Sequence, residues 1–559
     1  MSEPSKPPEP GTAEPAVRPR GGAALVAAGI LSSRLVGLLR NSALADYFGV
    51  GPHVDVLNMA LRAPNLLQNL LGEGTLSAAF IPIYSRLLHE GRREEAGRFA
   101  GAIFGLLAAL AGTLSLLGVL LARPLTSVLA MGFLNDRGPV DRFELTVAAV
   151  RIIFPMTTFL VLSAWALGVL NSHRRFFLPY FAPVFWNSAI VAALVWVGGW
   201  GAEGKPALDV LNRLLFAACW GALIGGLLQF LVQLPLALKM AGGLRPSLSL
   251  KAPGVREALS AFGPVLAGRG VVQLAGYLDY FLAGFLAAGA IGALGYAQVL
   301  YMLPISLFGM SVAASELPEL ARLGRSDAGG LLLARVRRSL RQMAFLNVPT
   351  FVGYLAFGYL LVGALFRRGN FGARDNWVVY LVLGGYTLGL LATTSSRLLQ
   401  NTFYALGESR TPARIATLRV AVSAVLGLPL MLLLDRYAVP VPATGGEAGN
   451  PLFLGAMGLA LASGVGAWLE LLLLRRALAA RASGGFLPVP ETARMMGLAA
   501  LAALPAALLW RFLPAMPVTV QALLVIGAYG TAYLVLAKLA GLEEMEAFVG
   551  VLRRRLGRR

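Results

Sequence analysis

The sequence predicts an all-α integral membrane protein with about fourteen transmembrane helices, in two pseudo-symmetric six-helix lobes plus two C-terminal helices. Of its 559 residues, 57% are apolar and only 14% are charged, and the mean hydropathy is +0.69. Soluble proteins carry about a quarter charged residues. The apolar residues also form runs long enough to cross a bilayer, which takes roughly 20 residues. The composition therefore argues against a soluble multidomain enzyme.

Fourteen apolar runs, separated by clusters of Arg, Pro and Gly, are the predicted spans. They cover residues 22–47, 55–82, 99–122, 145–170, 180–200, 212–238, 259–286, 290–318, 343–366, 377–398, 412–434, 452–474, 493–512 and 517–540. The first, second, seventh and eighth are the least uniformly apolar, because they carry charged or amide side chains. Such groups are costly at membrane depth unless they face water or protein.

The distribution of basic residues predicts that both termini lie in the cytoplasm. With a cytoplasmic N-terminus, the two tails and every second connection hold 33 of the 48 Lys and Arg residues, and the other connections hold 10. Cytoplasmic segments of membrane proteins carry such a positive excess. The net charge of +20 therefore reflects membrane orientation, whereas a nucleic-acid binder would concentrate its basic residues on one folded face.

A repeated pattern predicts that the first twelve helices are two copies of a six-helix unit. A helix with a central proline, followed by small residues and a second proline, occurs at 51–82 and again at 289–318. The loop at 171–179 has a counterpart at 404–412. An even number of spans per copy keeps both copies in one orientation, so the repeats are parallel. Parallel repeats are typical of transporters that rock around a central cleft.

These landmarks divide the chain into five parts. Residues 1–20 are rich in Pro and Glu, which predicts a disordered cytoplasmic tail, and they lack the features of a removable signal peptide. The other parts are an N-terminal lobe at 21–240 (helices 1–6), a C-terminal lobe at 252–480 (helices 7–12), helices 13 and 14 at 490–542, and a basic cytoplasmic tail at 543–559.

Eight polar side chains within helices 1, 2 and 7 are the candidate site. They are Arg34, Arg40, Asp55, Arg62, Glu73, Arg269, Gln273 and Asp279. With the lobes facing each other, these groups line one basic vestibule. An arginine at membrane depth needs a counter-ion or a hydrated cavity. Its planar donors suit a diphosphate, because they bind phosphate oxygens in pairs.

The charges in these spans admit more than one role. Arg34 and Arg40 have no neighbouring acid on their helix, which favours an anionic ligand. Arg62 lies two turns from Asp55, so it either pairs with that carboxylate or contributes to an anion site. Asp279 is either a partner for Arg269 or a cation site.

The motifs of common enzyme classes do not occur in this sequence. Its three histidines are too scattered for a metal cluster, and its only Gly-Lys pair precedes Pro206, so it does not begin a phosphate-binding loop. The single cysteine, Cys219, excludes an intrachain disulfide. The sequence GAIGALG at 289–295 places glycine at every third residue, which predicts close helix packing rather than a dinucleotide-binding turn. We therefore expect a protein that is not an enzyme and needs no cofactor.

Five blocks of sequence resemble the MurJ (MviN) family of lipid II flippases, within the MOP superfamily of transporters. They are SSRLVGLLRNSALADYFGVG at 32–51, RAPNLLQNLLGEGTLSAAFIPIYSR at 62–86, VLNSHRRFFLPYFAPVFWN at 169–187, LGYAQVLYMLPISLFGMSVAASELP at 294–318 and NTFYALGESRTP at 401–412. The blocks extend over both predicted lobes. The resemblance implies a flippase that moves an undecaprenyl-diphosphate-linked peptidoglycan precursor, lipid II, from the cytoplasmic to the periplasmic leaflet of the bacterial inner membrane by alternating access.

The resemblance also implies roles for individual residues. Family arginines on the first helix match Arg34 and Arg40, and an acid on the second helix matches Asp55. We assign substrate binding to these three residues and to Arg62 and Arg269, and an ionic or structural role to Asp279, Gln273 and Glu73. The expected partners are the lipid-linked substrate, membrane lipids and cell-wall synthases, without nucleic acid. The expected energy source is the membrane potential or a cation gradient acting through Asp279.

Three residues depart from the family pattern. Gln68 and Val299 stand where the family has arginines, and Asn41 stands where it often has an acid. Half of the family's cationic cluster is therefore absent, and Arg62 and Arg269 are candidates to replace it. Two alternatives follow: a flippase for another polyprenyl-linked glycan, and a non-transporting partner of cell-wall synthases that binds the lipid carrier.

Overall fold

The structure, a computed structural model, describes most of the chain. The described residues are 20–72, 76, 79–136, 138–199, 206–242, 245–310, 316, 319–320, 322, 329–439, 451–480 and 487–546, without the side chains of 20–24, 135, 264–275, 310 and 329. Glu73 of the candidate site lies outside them. Arg269 and Gln273 fall on a described helix, but their side chains lie outside the description.

The described residues form nineteen α-helices, which confirms the all-α prediction. In chain order they are α1 (Arg20–Phe48), α2 (Pro52–Leu71), α3 (Ile81–His89), α4 (Arg93–Leu120), α5 (Ala122–Leu129), α6 (Arg142–Ile153), α7 (Met156–Ser172), α8 (Phe177–Phe181), α9 (Pro183–Gly198), α10 (Leu208–Met240), α11 (Val255–Ala283), α12 (Ala290–Pro304), α13 (Gly329–Phe366), α14 (Ala373–Leu388), α15 (Leu390–Ala405), α16 (Arg410–Leu434), α17 (Gly455–Ala479), α18 (Val489–Phe512) and α19 (Val518–Leu539). The only β-pairing within them is an isolated bridge between Ala438 and Phe453.

By length and apolar composition, nine candidate spans are found in the described residues, or up to eleven if each of two bent helix pairs is one span. The bent pairs are α6 with α7, at 41°, and α14 with α15, at 43°. The predicted spans that fall on α1, α2 and α11 are helical but are not among these candidates, which were sought only in the described residues. The chain is a multi-pass membrane protein, and the exact count of fourteen is not confirmed.

We call the end of the bundle at which α1 begins the basic face, because the arginine-rich connections lie there, and the end at which α1 finishes the opposite face. Small residues allow the helices between these faces to approach closely. A Cβ on Gly225 of α10 would lie 2.8 Å from the Cα of Trp186 on α9. A Cβ on Gly458 of α17 would lie 2.7 Å from the carbonyl carbon of Leu430 on α16. Helices in lipid associate through such close packing.

The prediction of close packing for GAIGALG is confirmed, and its partner is α2. A Cβ on Gly292 would overlap Val54, and a Cβ on Gly295 would lie 3.1 Å from the amide of Asn58. Gly289 caps the start of α12 with φ of +97°, a conformation that favours glycine. The glycine face of α12 thus brings the two halves of the chain into contact at the opposite face.

On the basic face, the start of α11 packs against the first half of the chain. The connection between α10 and α11 packs along the surface of α4. Cβ atoms on Gly101 and Gly105 of α4 would overlap the backbone of Arg245 and Ser247. Val255 and Ala258 are buried in the same apolar cluster as residues of α3 and α4. The end of α11 (Tyr277, Tyr280 and Ala283) is buried in a different apolar cluster, together with residues of α2 and α12. This helix therefore contacts the first half of the chain at its start and near its end.

Candidate functional site

Asp55 of α2 is a buried junction between the two halves at the opposite face. Its side chain is fully buried. One carboxylate oxygen accepts the backbone N–H of Gly289 at 2.6 Å, and the other accepts that of Gly292 at 2.7 Å. These amides begin α12, where the helix dipole favours a negative charge. The first carboxylate oxygen also lies 3.3 Å from Nη1 of Arg142 on α6.

The partner of Asp55 is therefore Arg142, and the suggested pairing with Arg62 is not formed. Arg142 also binds Asp136 in the connection that precedes α6. Its side chain is only 4% exposed. In this conformation both carboxylate oxygens of Asp55 are bonded to protein groups. The assignment of Asp55 as a substrate ligand stays a prediction.

A second set of contacts closes the opposite face. The backbone N–H of Asn370, between α13 and α14, donates to the carbonyl of Asp46 at 2.8 Å, and its side-chain amide donates to the carbonyl of Tyr47 at 2.8 Å. Asp375 at the start of α14 accepts the N–H of Val50 at 3.3 Å. The turn between α1 and α2 is therefore hydrogen-bonded to the second half of the chain.

Arg40 of α1 is half-buried and stacks on an aromatic ring. Its guanidinium carbon lies 4.9 Å from the ring centroid of Trp186 on α9. One Nη donates to the side chain of Asn41 at 3.1 Å, and Nε is buried without a hydrogen-bond partner among the described residues. Arg34, almost two turns earlier, is exposed. Neither residue forms an ion pair among the described residues.

Arg62 of α2 also stacks on an aromatic ring, and this contact crosses between the two halves. Its guanidinium carbon lies 3.2 Å from the ring centroid of Tyr280 on α11. Asp279, the residue before Tyr280, is half-buried and acts electrostatically on Arg62 and on Arg419 of α16. Asp279 makes no ion pair within hydrogen-bonding distance in the described part of the chain.

Sequence reasoning missed a buried ion pair in the second half. Arg419 lies nine residues into α16, and its Nη1 lies 2.6 Å from Oε2 of Glu470 on α17. Gln400 of α15 donates to the other oxygen of Glu470 at 2.6 Å. Glu470 is 1% exposed. The signal was a charged residue inside each of two predicted spans, Arg419 in 412–434 and Glu470 in 452–474, but the sequence does not show that these two side chains meet.

The ion pairs of the described residues separate the arginines into two groups. Fourteen pairs engage eleven arginines, most of them at the ends of helices. Arg34, Arg40 and Arg62 are in none of them. Cations at membrane depth without an acid partner need an anion or water. The candidate site thus contains three arginines of α1 and α2 that form no ion pair with a described residue.

The two positions at which the family has arginines carry no charge in this chain. Gln68 and Val299 are half-buried on α2 and α12. The structure therefore brings Arg34, Arg40 and Arg62 to the first two helices, places Asp55 in the junction at the opposite face and places Asp279 beside Tyr280. Glu73 and the side chains of Arg269 and Gln273 lie outside the part that the structure describes, so their roles stay predictions.

A titratable cluster on the basic face lies outside the spans. Nε2 of His173, directly after α7, lies 3.1 Å from the hydroxyl of Tyr84 on α3. Burial lowers the pKa of His173, and the nearby positive charge of Arg93 lowers it further. Next to this cluster, both oxygens of Glu257 accept from Arg86, at 3.1 and 2.6 Å. These contacts attach the start of α11 to α3.

The chain is similar in sequence to known transporters. A family model described as lipid II flippase MurJ matches residues 44–529. The lipid II flippase MurJ of Burkholderia cenocepacia is 32% identical over 420 residues, which cover 74% of this chain and 77% of that protein. The probable lipid II flippase MurJ of Haemophilus influenzae is 30% identical over 418 residues, which cover 73% of this chain and 79% of that protein.

Two solved structures share the fold. A lipid II flippase MurJ in an inward closed conformation has a TM-score of 0.66 at 21% identity, over 92% of this chain and 99% of that one. An inward-facing MATE family multidrug transporter of the MOP superfamily has a TM-score of 0.60 at 14% identity, over 83% of this chain and 100% of that one. Because the family model spans most of the sequence and both relatives align over nearly three quarters of it, the chain belongs to the MurJ family of lipid II flippases.

Proposed function

We propose that this protein moves lipid II, an undecaprenyl-diphosphate-linked peptidoglycan precursor, from the cytoplasmic to the periplasmic leaflet of the bacterial inner membrane. In this proposal the basic face and both termini are cytoplasmic, and the protein transports its substrate without chemically changing it. The positive excess on alternate connections supports this orientation. The family relationship supports the substrate.

The observation that carries the proposal is the uncompensated charge of α1. Arg34 and Arg40 lie within a helix of the membrane bundle and form no ion pair with a described residue. Nε of Arg40 is buried and no described residue accepts from it, and an unsatisfied buried donor on a charged group costs about 1–3 kcal/mol or more. A diphosphate supplies acceptors for these donors. Arginine binds phosphate oxygens through paired N–H groups.

The contacts at the opposite face support entry from the basic face. Asp55 and Asn370 join the two halves where α1 ends, so a substrate reaching Arg40 from that side would first have to break these hydrogen bonds. Alternating access then requires a second conformation in which the opposite face opens. Parallel repeats that rock against each other provide such a motion.

For the energy source we propose the membrane potential. An interior-negative potential favours outward movement of an anion by about 2.3 kcal/mol per charge per 100 mV. A cation gradient acting through Asp279 is the less favoured alternative, because Arg62 and Arg419 already act on that carboxylate. A metal cation bound there would be repelled by both arginines.

The test is rescue of a bacterial strain whose own lipid II flippase can be switched off. We expect wild type, and the matched control Arg213→Ala on the exposed, ion-paired end of α10, to restore growth. Arg34→Ala and Arg40→Ala should fail at equal membrane levels. Failure of well-expressed wild type would overturn the assignment of lipid II.

The uncharged positions Gln68 and Val299 favour one second candidate, a flippase for another polyprenyl-linked glycan. Transport in proteoliposomes with lipid II and with a polyprenyl diphosphate that carries a different sugar distinguishes the two. Preference for lipid II supports the first proposal, and preference for the other glycan supports the second. Cell-wall synthases as partners stay a prediction, as does a non-transporting role beside them.

A further inference from the structure

Arg62 is a cation of the first half of the chain that is supported by an aromatic ring of the second half. Its guanidinium carbon lies 3.2 Å from the ring centroid of Tyr280, which is within the range of a cation–π contact. Arginine stacks on aromatic rings in this way, with an attraction that increases when the pair is removed from water. Tyr280 is 1% exposed, so the contact is largely desolvated on the side of the ring.

The ring of Tyr280 is held in place by a chain of polar and aromatic contacts. Its hydroxyl donates to the side-chain carbonyl of Gln298 on α12 at 2.7 Å, and the amide of Gln298 donates to the hydroxyl of Tyr386 on α14 at 3.1 Å. Tyr386 stacks on Tyr301 at 5.0 Å between centroids. Three helices of the second half therefore fix the ring against which Arg62 rests.

The contact with Tyr280 leaves most hydrogen-bond donors of Arg62 available. A guanidinium carries five N–H donors in a planar fork, and the interaction with Tyr280 combines the ring contact with a side-chain hydrogen bond. Among the described residues, Arg62 forms no ion pair. The stack also restricts a long side chain that otherwise has about 2 kcal/mol of rotamer entropy to lose on binding. Arg62 is thus oriented before any anion arrives.

We propose that Tyr280 is a positioning residue for anion binding, which presents the guanidinium of Arg62 to the diphosphate of the lipid-linked substrate. This inference rests on the proposed function. It also connects substrate binding to the contact between the halves, because Arg62 belongs to α2 and its support belongs to α11. When α2 and α11 separate, Arg62 loses the ring, and its grip on the diphosphate weakens.

Arg40 shows the same arrangement within the first half of the chain. Its guanidinium lies over Trp186, and its buried Nε has no hydrogen-bond partner in the part of the chain that the structure describes. Here the ring and the cation belong to neighbouring helices of one half, α9 and α1. Movement of the halves therefore leaves the Arg40 stack intact and breaks the Arg62 stack. Only the second stack depends on the conformation of the transporter.

The experiment measures the affinity of the purified full-length protein, in lipid nanodiscs, for undecaprenyl diphosphate. The variants are Tyr280→Leu, Tyr280→Phe, Arg62→Ala and the double variant Tyr280→Leu with Arg62→Ala. We expect about tenfold weaker binding for Tyr280→Leu, since a desolvated cation–π contact contributes on this scale. Tyr280→Phe keeps the ring, so it should bind within about threefold of wild type.

The double variant separates positioning from general structural damage. If Tyr280 acts through Arg62, its removal weakens binding in the wild-type background and has no further effect once Arg62 is alanine. An equal loss in both backgrounds would overturn the inference, as would unchanged binding by Tyr280→Leu. Undecaprenyl monophosphate serves as the matched ligand, and it should show a smaller loss because it offers fewer phosphate oxygens.

The proposed function fails in a different way. If wild type does not bind undecaprenyl diphosphate, or if Arg34→Ala and Arg40→Ala bind it as wild type does, the anion site itself is wrong. If those two variants bind weakly and Tyr280→Leu binds normally, the anion site stands and the positioning role of Tyr280 is wrong.

Discussion

A carboxylate oxygen of Asp55 lies 2.7 Å from the backbone nitrogen of Gly292, although 237 residues separate them in the chain. This hydrogen bond joins α2 to the start of α12. The other carboxylate oxygen bonds the amide of Gly289 and faces Arg142. One side chain therefore connects three helices at the opposite face. Its removal should weaken the contact between the two halves there.

Asp55→Asn should destabilise the closed opposite face. The substitution leaves Arg142 without this negative partner in a buried site, and breaking a buried pair from one side costs about 3–5 kcal/mol. We expect a lower thermal midpoint in detergent and faster labelling of a cysteine introduced at Ala288. The double variant Asp55→Asn with Arg142→Met should recover part of the midpoint. If Asp55→Asn alone matched wild type in both measurements, the junction would not hold the face closed.

Gly292→Val should prevent the close approach of α2 and α12. A Cβ at this position already overlaps Val54, and overpacking of this kind costs about 1–3 kcal/mol. The thermal midpoint and the rate of transport in proteoliposomes should both fall. Gly384→Ala is the matched control, because a Cβ at Gly384 meets nothing within 4 Å. Equal behaviour of the two variants would contradict the packing described here.

Glu470→Gln should destabilise the second half of the chain. The change removes the negative partner of Arg419, whose side chain is 24% exposed, and leaves a partly buried cation, so a loss of about 3 kcal/mol is expected. Arg419→Met combined with Glu470→Met should lie closer to wild type, since an apolar pair of similar size replaces the ions. Thermal unfolding followed by tryptophan fluorescence measures both. A double variant less stable than Glu470→Gln would contradict this account.

His173 should make stability depend on pH on the basic face. Burial and Arg93 lower the pKa of its imidazole from 6.5, so the unfolded chain binds a proton at a higher pH than the folded protein does. The stabilisation is present above pH 6.5 and is lost as the pH falls through the lowered value. The thermal midpoint of wild type should fall on acidification more than that of His173→Gln. Parallel curves for the two proteins would show that this imidazole does not contribute.

Some of these features could be predicted from the sequence, because they depend on local spacing. The glycines of GAIGALG lie on one face at a spacing that only helix packing explains, and the structure confirms that packing. The charges of Arg34 and Arg40 were visible because they interrupt an apolar run. In both cases the information lies within a few turns of one helix.

Other features depend on which helices are neighbours, and a single sequence does not contain that information. The partner of Asp55 is 87 residues away, at the start of α6, where the sequence indicated only a connection. Arg419 and Glu470 both lie within predicted spans, 412–434 and 452–474, but their pairing depends on the contact between α16 and α17. Tyr280 carries no charge and no motif. Its contact with Arg62 exists only because α2 and α11 cross.

The attachment of α11 to α3 and α4 has a consequence for synthesis of the chain. Val255 and Ala258 complete an apolar cluster whose other members lie before residue 242. While the ribosome makes the first ten helices, that cluster lacks its last members and exposes apolar surface towards the basic face. Domains of nascent chains generally form in order from the N-terminus. Here the earlier half cannot finish until the beginning of the later half has been translated, so a chain cut between α10 and α11 would yield an incomplete first fragment.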